Sequence, residues 1–79
     1  MTFRELDTVV LTRDRPDAGL KAGDLGAVVH VHAPGDLEVE FVTASGRTQA
    51  LVTLKATEVR AVEDSDLLAV RAASEKGAA

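Results

Sequence analysis

Residues 19–43, GLKAGDLGAVVHVHAPGDLEVEFVT, decide the fold of this chain. Glycines 19, 23 and 26 precede an alternating stretch, and glycine permits the positive φ and the close backbone approach that a sheet needs at a corner. Pro34 and Gly35 are typical of a turn, and a second alternating stretch follows them. The pattern predicts a β-hairpin.

Both strands of this hairpin have the two-residue period of half-buried strands. In the first, Val29 and Val31 share one face, and the other face holds Val28, His30 and His32. We expect Val29 and Val31 to face the core. In the second, an apolar face alternates with the carboxylates of Glu38 and Glu40, which we expect to point to water; the apolar face holds Leu37, Val39 and Phe41.

The flanking sequence supplies three more short strands. Residues 8–12 (TVVLT) are β-branched and aliphatic, residues 47–54 alternate after a turn at Ser45 and Gly46, and residues 58–62 form a short closing segment. Five short strands with tight turns predict a mainly β fold, a small SH3-like five-stranded antiparallel barrel over residues 1–62.

The pattern changes after the barrel. Asp64 or Ser65 is a suitable N-cap, and Leu67, Leu68 and Val70 precede alanine-rich sequence. We therefore predict a short C-terminal helix over residues 63–76 and a disordered end over residues 77–79. The leucines of this helix either dock on its own barrel or contact another chain.

Composition limits the class of protein. The 79 residues form one domain, and the net charge of −4 repels phosphates and favours basic partners. There is no cysteine, and only 3% of the residues are aromatic, which disfavours base stacking. Because acids stand near the N-terminus and no long apolar run exists, we expect a cytoplasmic protein that does not enter membranes.

Three strings in order resemble a known family. They are LDTVVLT at residues 6–12, GLKAGDLGAVVHV at residues 19–31 and EVEF at residues 38–41. They resemble a family of small bacterial proteins catalogued as a domain of unknown function. The resemblance implies an SH3-like barrel without an established activity, and a companion of a neighbouring gene product, as in antitoxin or immunity pairs.

A looser resemblance is to the ribosomal and transcription-factor barrels that place a glycine three residues before Gly-x-Val, as Gly23, Gly26 and Val28 do here. It implies nucleic-acid binding as the alternative function. The cations available for that are Arg13, Arg15, Lys21, Arg47, Lys55 and Arg60. Few of them surround the glycines, so we expect no nucleic-acid partner.

The most informative polar group is His30-x-His32 facing Glu38-x-Glu40. Directly opposed side chains in an antiparallel pair have Cβ atoms about 5 Å apart, so the four lie within reach of one another. They form an ion-pairing surface, a partner-binding face or a metal site. Further candidate partner-binding residues are Arg13 and Arg15 in a charged loop, and Leu67 and Leu68 in the predicted helix.

The chain has few side chains of the types that usually act in catalysis. The chain has no Cys, Tyr or Trp, and its serines lie in turn or tail segments away from both histidines. We therefore expect no enzyme and no cofactor. The leading hypothesis is a non-enzymatic module that binds a protein partner or a second copy of itself.

Overall fold

The computed structural model describes residues 2–73, which form one sheet of five antiparallel strands. The strands are β1 (Thr8–Leu11), β2 (Leu25–His32), β3 (Asp36–Val42), β4 (Thr48–Lys55) and β5 (Val59–Ala61). Two short 3₁₀ helices, Pro16–Ala18 and Ala56–Glu58, are the only helical segments of this part of the chain. Neither is long and apolar enough to cross a membrane.

The sheet has the order β4-β3-β2-β1-β5. The mainly β class, the five antiparallel strands and the pairing of the last strand with the first are thus confirmed. The expected closed barrel is not, because β4 and β5 form the two edges and do not pair with each other. The chain runs from β4 through the 3₁₀ helix Ala56–Glu58 into β5, and β5 pairs with β1 at the opposite edge of the sheet.

The core contains aliphatic and phenyl side chains from every strand. Its members are Phe3, Val9, Leu11, Leu20, Val28, Leu37, Val39, Phe41, Leu54 and Val59. Gly26 of β2 lies against this core, where a Cβ atom would stand 2.6 Å from Val39 Cγ1 and 2.8 Å from Phe41 Cε2. Glycine at position 26 is therefore required for close packing of β2 on β3.

A β-bulge at Val29 overturns the expected burial of β2. Val28 lies opposite Val39 and His30 lies opposite Glu38, so Val29 is the extra residue that interrupts the alternation. Val28 is fully buried, whereas Val29 is 38% exposed. Val31 lies opposite Leu37 near the hairpin turn and is 39% exposed. The prediction that Val29 faces the core was wrong, whereas Val31 shares the face of buried Leu37 but stays partly exposed.

The predicted helix over residues 63–76 is also wrong as far as residue 73. Residues 63–66 form a turn, in which Asp66 N donates to Glu63 O (3.0 Å) and Glu63 N donates to Asp66 Oδ2 (2.7 Å). Residues 67–73 have no regular secondary structure. A helix this short is marginal in water, and the chain forms side-chain contacts with the sheet instead. Residues 74–76, and the end at 77–79, lie outside the described residues.

Candidate functional site

The hairpin β2–β3 brings together three of the four polar residues singled out in the sequence. His30 lies opposite Glu38. His32 Nε2 is 3.3 Å from Glu38 Oε1, and the two imidazole rings meet edge to face with centroids 4.4 Å apart. His30 Nδ1 is 3.4 Å from Glu5 Oε2. The result is an exposed cluster of two imidazoles and two carboxylates.

Glu40 does not join this cluster. Its neighbour across the hairpin is Ala27, and its Oε2 accepts a hydrogen bond of 2.5 Å from the Thr48 hydroxyl on β4. Within residues 2–73 no group of three or more His, Asp or Glu side chains is arranged to hold a metal ion. What the structure shows at this surface is two His–carboxylate contacts, His30 with Glu5 and His32 with Glu38.

Arg13 and Arg15 both face carboxylates of this chain. Arg13 Nη1 is 3.9 Å from Glu58 Oε2, and Arg15 Nε donates to Asp17 Oδ1 at 3.2 Å. Arg15 also starts the 3₁₀ helix Pro16–Ala18 and pairs with Leu20 across the loop. Arg15 thus contacts its own loop, whereas Arg13 faces the 3₁₀ helix Ala56–Glu58.

Residues 66–71, here called the strap, run across the sheet and are held at both ends. At the first end, Arg60 of β5 donates two hydrogen bonds to the Asp66 carboxylate, both 2.9 Å long. At the second, Arg71 donates to Asp24 Oδ1 (2.9 Å) and Oδ2 (2.5 Å), and Arg71 Nη2 also reaches Gly19 O (3.3 Å). Bidentate pairs of this kind define orientation as well as contact.

These contacts change the acidity of both carboxyl groups. Burial of Asp24 raises its pKa, but the hydrogen bonds from Arg71 and from Lys21 N outweigh this, so the pKa of Asp24 lies below its ordinary value. The hydrogen bonds from Arg60 and from Glu63 N lower the pKa of Asp66 to about 2. Both carboxylates are therefore fully ionised at neutral pH.

A pocket of about 650 Å³ is lined by the strap and by the sheet. The sheet contributes Val10, Leu25 and Val42. Val10 lies opposite Leu25 and Arg60, on the face of β1 away from the core cluster, and is nevertheless buried. The strap thus lies over its own sheet and is attached to it through Asp66 and Arg71, and we call this cavity the strap pocket.

The strap leaves its apolar side chains in solvent. Leu67 is 91% exposed, Leu68 72% and Val70 99%. Leu25 and Val42, which are 40% and 55% exposed, line the same pocket, and we call the five residues Leu25, Val42, Leu67, Leu68 and Val70 the apolar patch. Sequence reasoning found Leu67 and Leu68. Asp24 and Arg71, which anchor the strap, were not predicted; the only indication of their pairing in the sequence is their opposite charge.

Taken together, the open antiparallel sheet and the anchored strap define a small all-β domain with an exposed apolar surface. The chain belongs to the family described as Domain of unknown function (DUF4926), which matches residues 5–61. This confirms the resemblance to a domain of unknown function. The match covers all five strands and stops before the strap. No curated protein matches the chain, and no solved structure does.

Proposed function

We propose that this protein is a non-enzymatic protein-interaction module that binds a partner protein through the apolar patch. One observation carries the proposal: Leu67, Leu68 and Val70 are 72–99% exposed, on a segment anchored at both ends. Contiguous apolar surface on a small domain marks an interaction site more often than a single exposed leucine does. A strap that is held in place also loses less conformational entropy when a partner binds.

The charge around the strap indicates the chemistry of the partner. The chain carries a net charge of −4, and the exposed carboxylates of Glu63 and Asp64 stand directly before the strap. A partner segment with apolar side chains flanked by Lys or Arg complements this surface, and the charges speed its association. The occupant we propose is therefore a basic, apolar segment of another protein.

The SH3-like architecture and the biological role are part of the same proposal. The strand order β4-β3-β2-β1-β5 and the 3₁₀ helix before β5 support an SH3-like arrangement of an open sheet. The role we propose is that of an antitoxin-like, immunity-like or accessory subunit whose partner is encoded by a neighbouring gene.

Nucleic-acid binding is the weaker alternative, because most of the cations it needs already face carboxylates. Arg13, Arg15, Lys55 and Arg60 lie within 4.0 Å of Glu58, Asp17, Asp36 and Asp66, respectively. Phosphate binding would have to displace these contacts. A labelled RNA or DNA duplex should therefore show no retardation at low salt; retardation that falls steeply with salt would favour the alternative.

The test is co-expression with the product of the adjacent gene, followed by co-purification. The wild-type protein should retain the partner, and the double variant Leu67→Ser/Leu68→Ser should lose it. Leu6→Ser is the matched control, because Leu6 is 86% exposed and lies away from the strap pocket. A wild-type protein that captures nothing while the neighbour is soluble and active alone would contradict the proposal, as would retention by the double variant.

A further inference from the structure

The two edges of the sheet are built differently. At one edge β5 has only three residues, its central Arg60 is charged, and the strap begins beside it. At the other edge β4 has eight residues, and the first seven (TQALVTL) contain no charge, proline or glycine. Natural proteins usually protect edge strands by making them short or by placing charges or proline in them. β5 follows this rule throughout, whereas β4 has a charge only at its last residue, Lys55.

Most of β4 is also regular in conformation. A bulge at Gln49 interrupts its pairing with β3, since Phe41 lies opposite Ala50 and Val42 opposite Thr48. Beyond the bulge, residues 50–54 pair with β3 without a further shift. Half of the backbone N–H and C=O groups of such a strand point away from its single neighbour. Residues 50–54 therefore present an open row of hydrogen-bonding groups.

The side chains along this edge are compatible with a neighbouring strand. Leu51 and Thr53 lie on the outer face opposite Glu40 and Glu38, and Leu51 is 54% exposed at the middle of β4. Leucine and threonine pack well against a second strand. Within residues 2–73, β3 is the only strand that pairs with β4.

We infer that this edge pairs with the same edge of a second copy, so that two antiparallel β4 strands join the two sheets into one of ten strands. An antiparallel pair of identical strands is two-fold symmetric: if residue i of one copy faces residue j of the other, then residue j of the first copy faces residue i of the second. The assembly therefore closes as a dimer. The strands bring no charge to the interface before Lys55. A second copy therefore meets no like charge along residues 48–54.

The acidic character of the chain does not oppose this pairing strongly. The nearest acidic rows are Glu38 and Glu40 on β3, one strand behind the edge. In the dimer the two β3 strands are three strand spacings apart, about 14 Å at about 4.8 Å per spacing. That exceeds the Debye length of about 8 Å at physiological salt, so repulsion between these rows is largely screened. A domain of this size also gains stability from association.

The inference is tested by sedimentation equilibrium of the full chain over micromolar to millimolar concentrations. We expect a species of twice the 8.3 kDa chain mass. The variant Thr53→Lys adds a charge to the outer face of the paired edge in both copies, and it should raise the dissociation constant at least about tenfold. Ala22→Lys, in an exposed turn of the β1–β2 loop, adds the same charge away from the edge and should leave the dissociation constant unchanged.

Amide hydrogen exchange of the wild-type protein gives an independent measurement. Protection within residues 50–54 should increase with protein concentration, since the outward N–H groups become hydrogen-bonded only in the dimer. A monomer at every concentration overturns the inference, and so does concentration-independent exchange in residues 50–54. A dimer that survives Thr53→Lys but is lost in Leu67→Ser/Leu68→Ser overturns it too, because the copies then meet through the strap.

Discussion

Arg71 and Asp24 form a two-point ion pair across 47 residues of sequence, with hydrogen bonds of 2.9 and 2.5 Å. The pair ties the strap to the residue directly before β2. The Asp24 side chain is 18% exposed and that of Arg71 33% exposed, so solvent screens this pair less than a fully exposed one. The position of the apolar patch depends on this contact and on its counterpart between Arg60 and Asp66.

A double-mutant cycle with Arg71→Gln and Asp24→Asn should measure this coupling. We expect an interaction free energy of about 1 kcal/mol from urea unfolding, the upper end of the range for ion pairs near a surface. The matched cycle is Arg15→Gln with Asp17→Asn, where the carboxylate is 69% exposed and the residues are two apart in sequence. That coupling should be near zero. Equal values for the two cycles would show that Arg71 does not anchor the strap.

Acid should release the strap in a defined pH window. The pKa of Asp66 is lowered from its ordinary 3.8 to about 2, so its ionised form stabilises the folded state fully above pH 3.8. That stabilisation decreases as the pH falls below 3.8 and is lost as the pH passes through about 2. The lowered pKa of Asp24 acts in the same direction.

Carboxyl ¹³C NMR titration measures both groups directly. The midpoint of Asp66 should lie well below 3.8 in the wild-type protein and should move back toward 3.8 in Arg60→Gln, because the guanidinium is the main cause of the shift. Arg47→Gln removes a charge elsewhere and serves as the control. An Asp66 midpoint of 3.8 or higher in the wild-type protein would rule out the ion pair between Arg60 and Asp66.

Gly26→Ala should destabilise the fold. The new methyl group would stand 2.6 Å from Val39 Cγ1 and 2.8 Å from Phe41 Cε2, so the core must shift. Overpacking of this kind reduces the free energy of unfolding by about 1–3 kcal/mol. Gly35→Ala is the control, because a Cβ there meets nothing within 4 Å, and it should change stability by less than about 0.5 kcal/mol. Chemical denaturation of both variants is sufficient, and equal stabilities would refute the close approach.

The bulge in β2 predicts different costs for two adjacent valines. Val28→Ala removes fully buried methyl groups and should lower the free energy of unfolding by about 2 kcal/mol. Val29→Ala, at a position that is 38% exposed, should lower it by less than about 1 kcal/mol. Thermal or urea unfolding separates the two. A larger loss of stability in Val29→Ala than in Val28→Ala would contradict the bulge and would support the regular alternation expected from the sequence.

Much of the sheet could be predicted because its signals are local. Strand periodicity and turn residues located the β2–β3 hairpin, and the pairing of His32 with Glu38 follows from their placement on facing strands. The bulge at Val29 could not be predicted, since no residue near it distinguishes a bulge from a continued strand. Its effect was to bury Val28 and to expose Val29.

The candidate site was predictable only in part. Leu67 and Leu68 are conspicuous as apolar residues after an acidic turn, but their pattern suits a short helix equally well. The difference lies in Asp66 and Arg71, whose partners Arg60 and Asp24 are brought into reach by strand pairing. In the sequence, an aspartate in the first turn of a helix cannot be distinguished from one that pairs with an arginine elsewhere in the fold.

By itself, the sequence determined a small, acidic, mainly β domain with five strands and the turns between them, because periodicity and turn chemistry act over a few neighbouring residues. Only the tertiary structure decided that the sheet stays open, that β4 forms one of its edges, and that residues 66–71 cross the sheet as a strap. These features depend on contacts between residues far apart in the chain. The free energies of such contacts cannot be inferred from local sequence patterns.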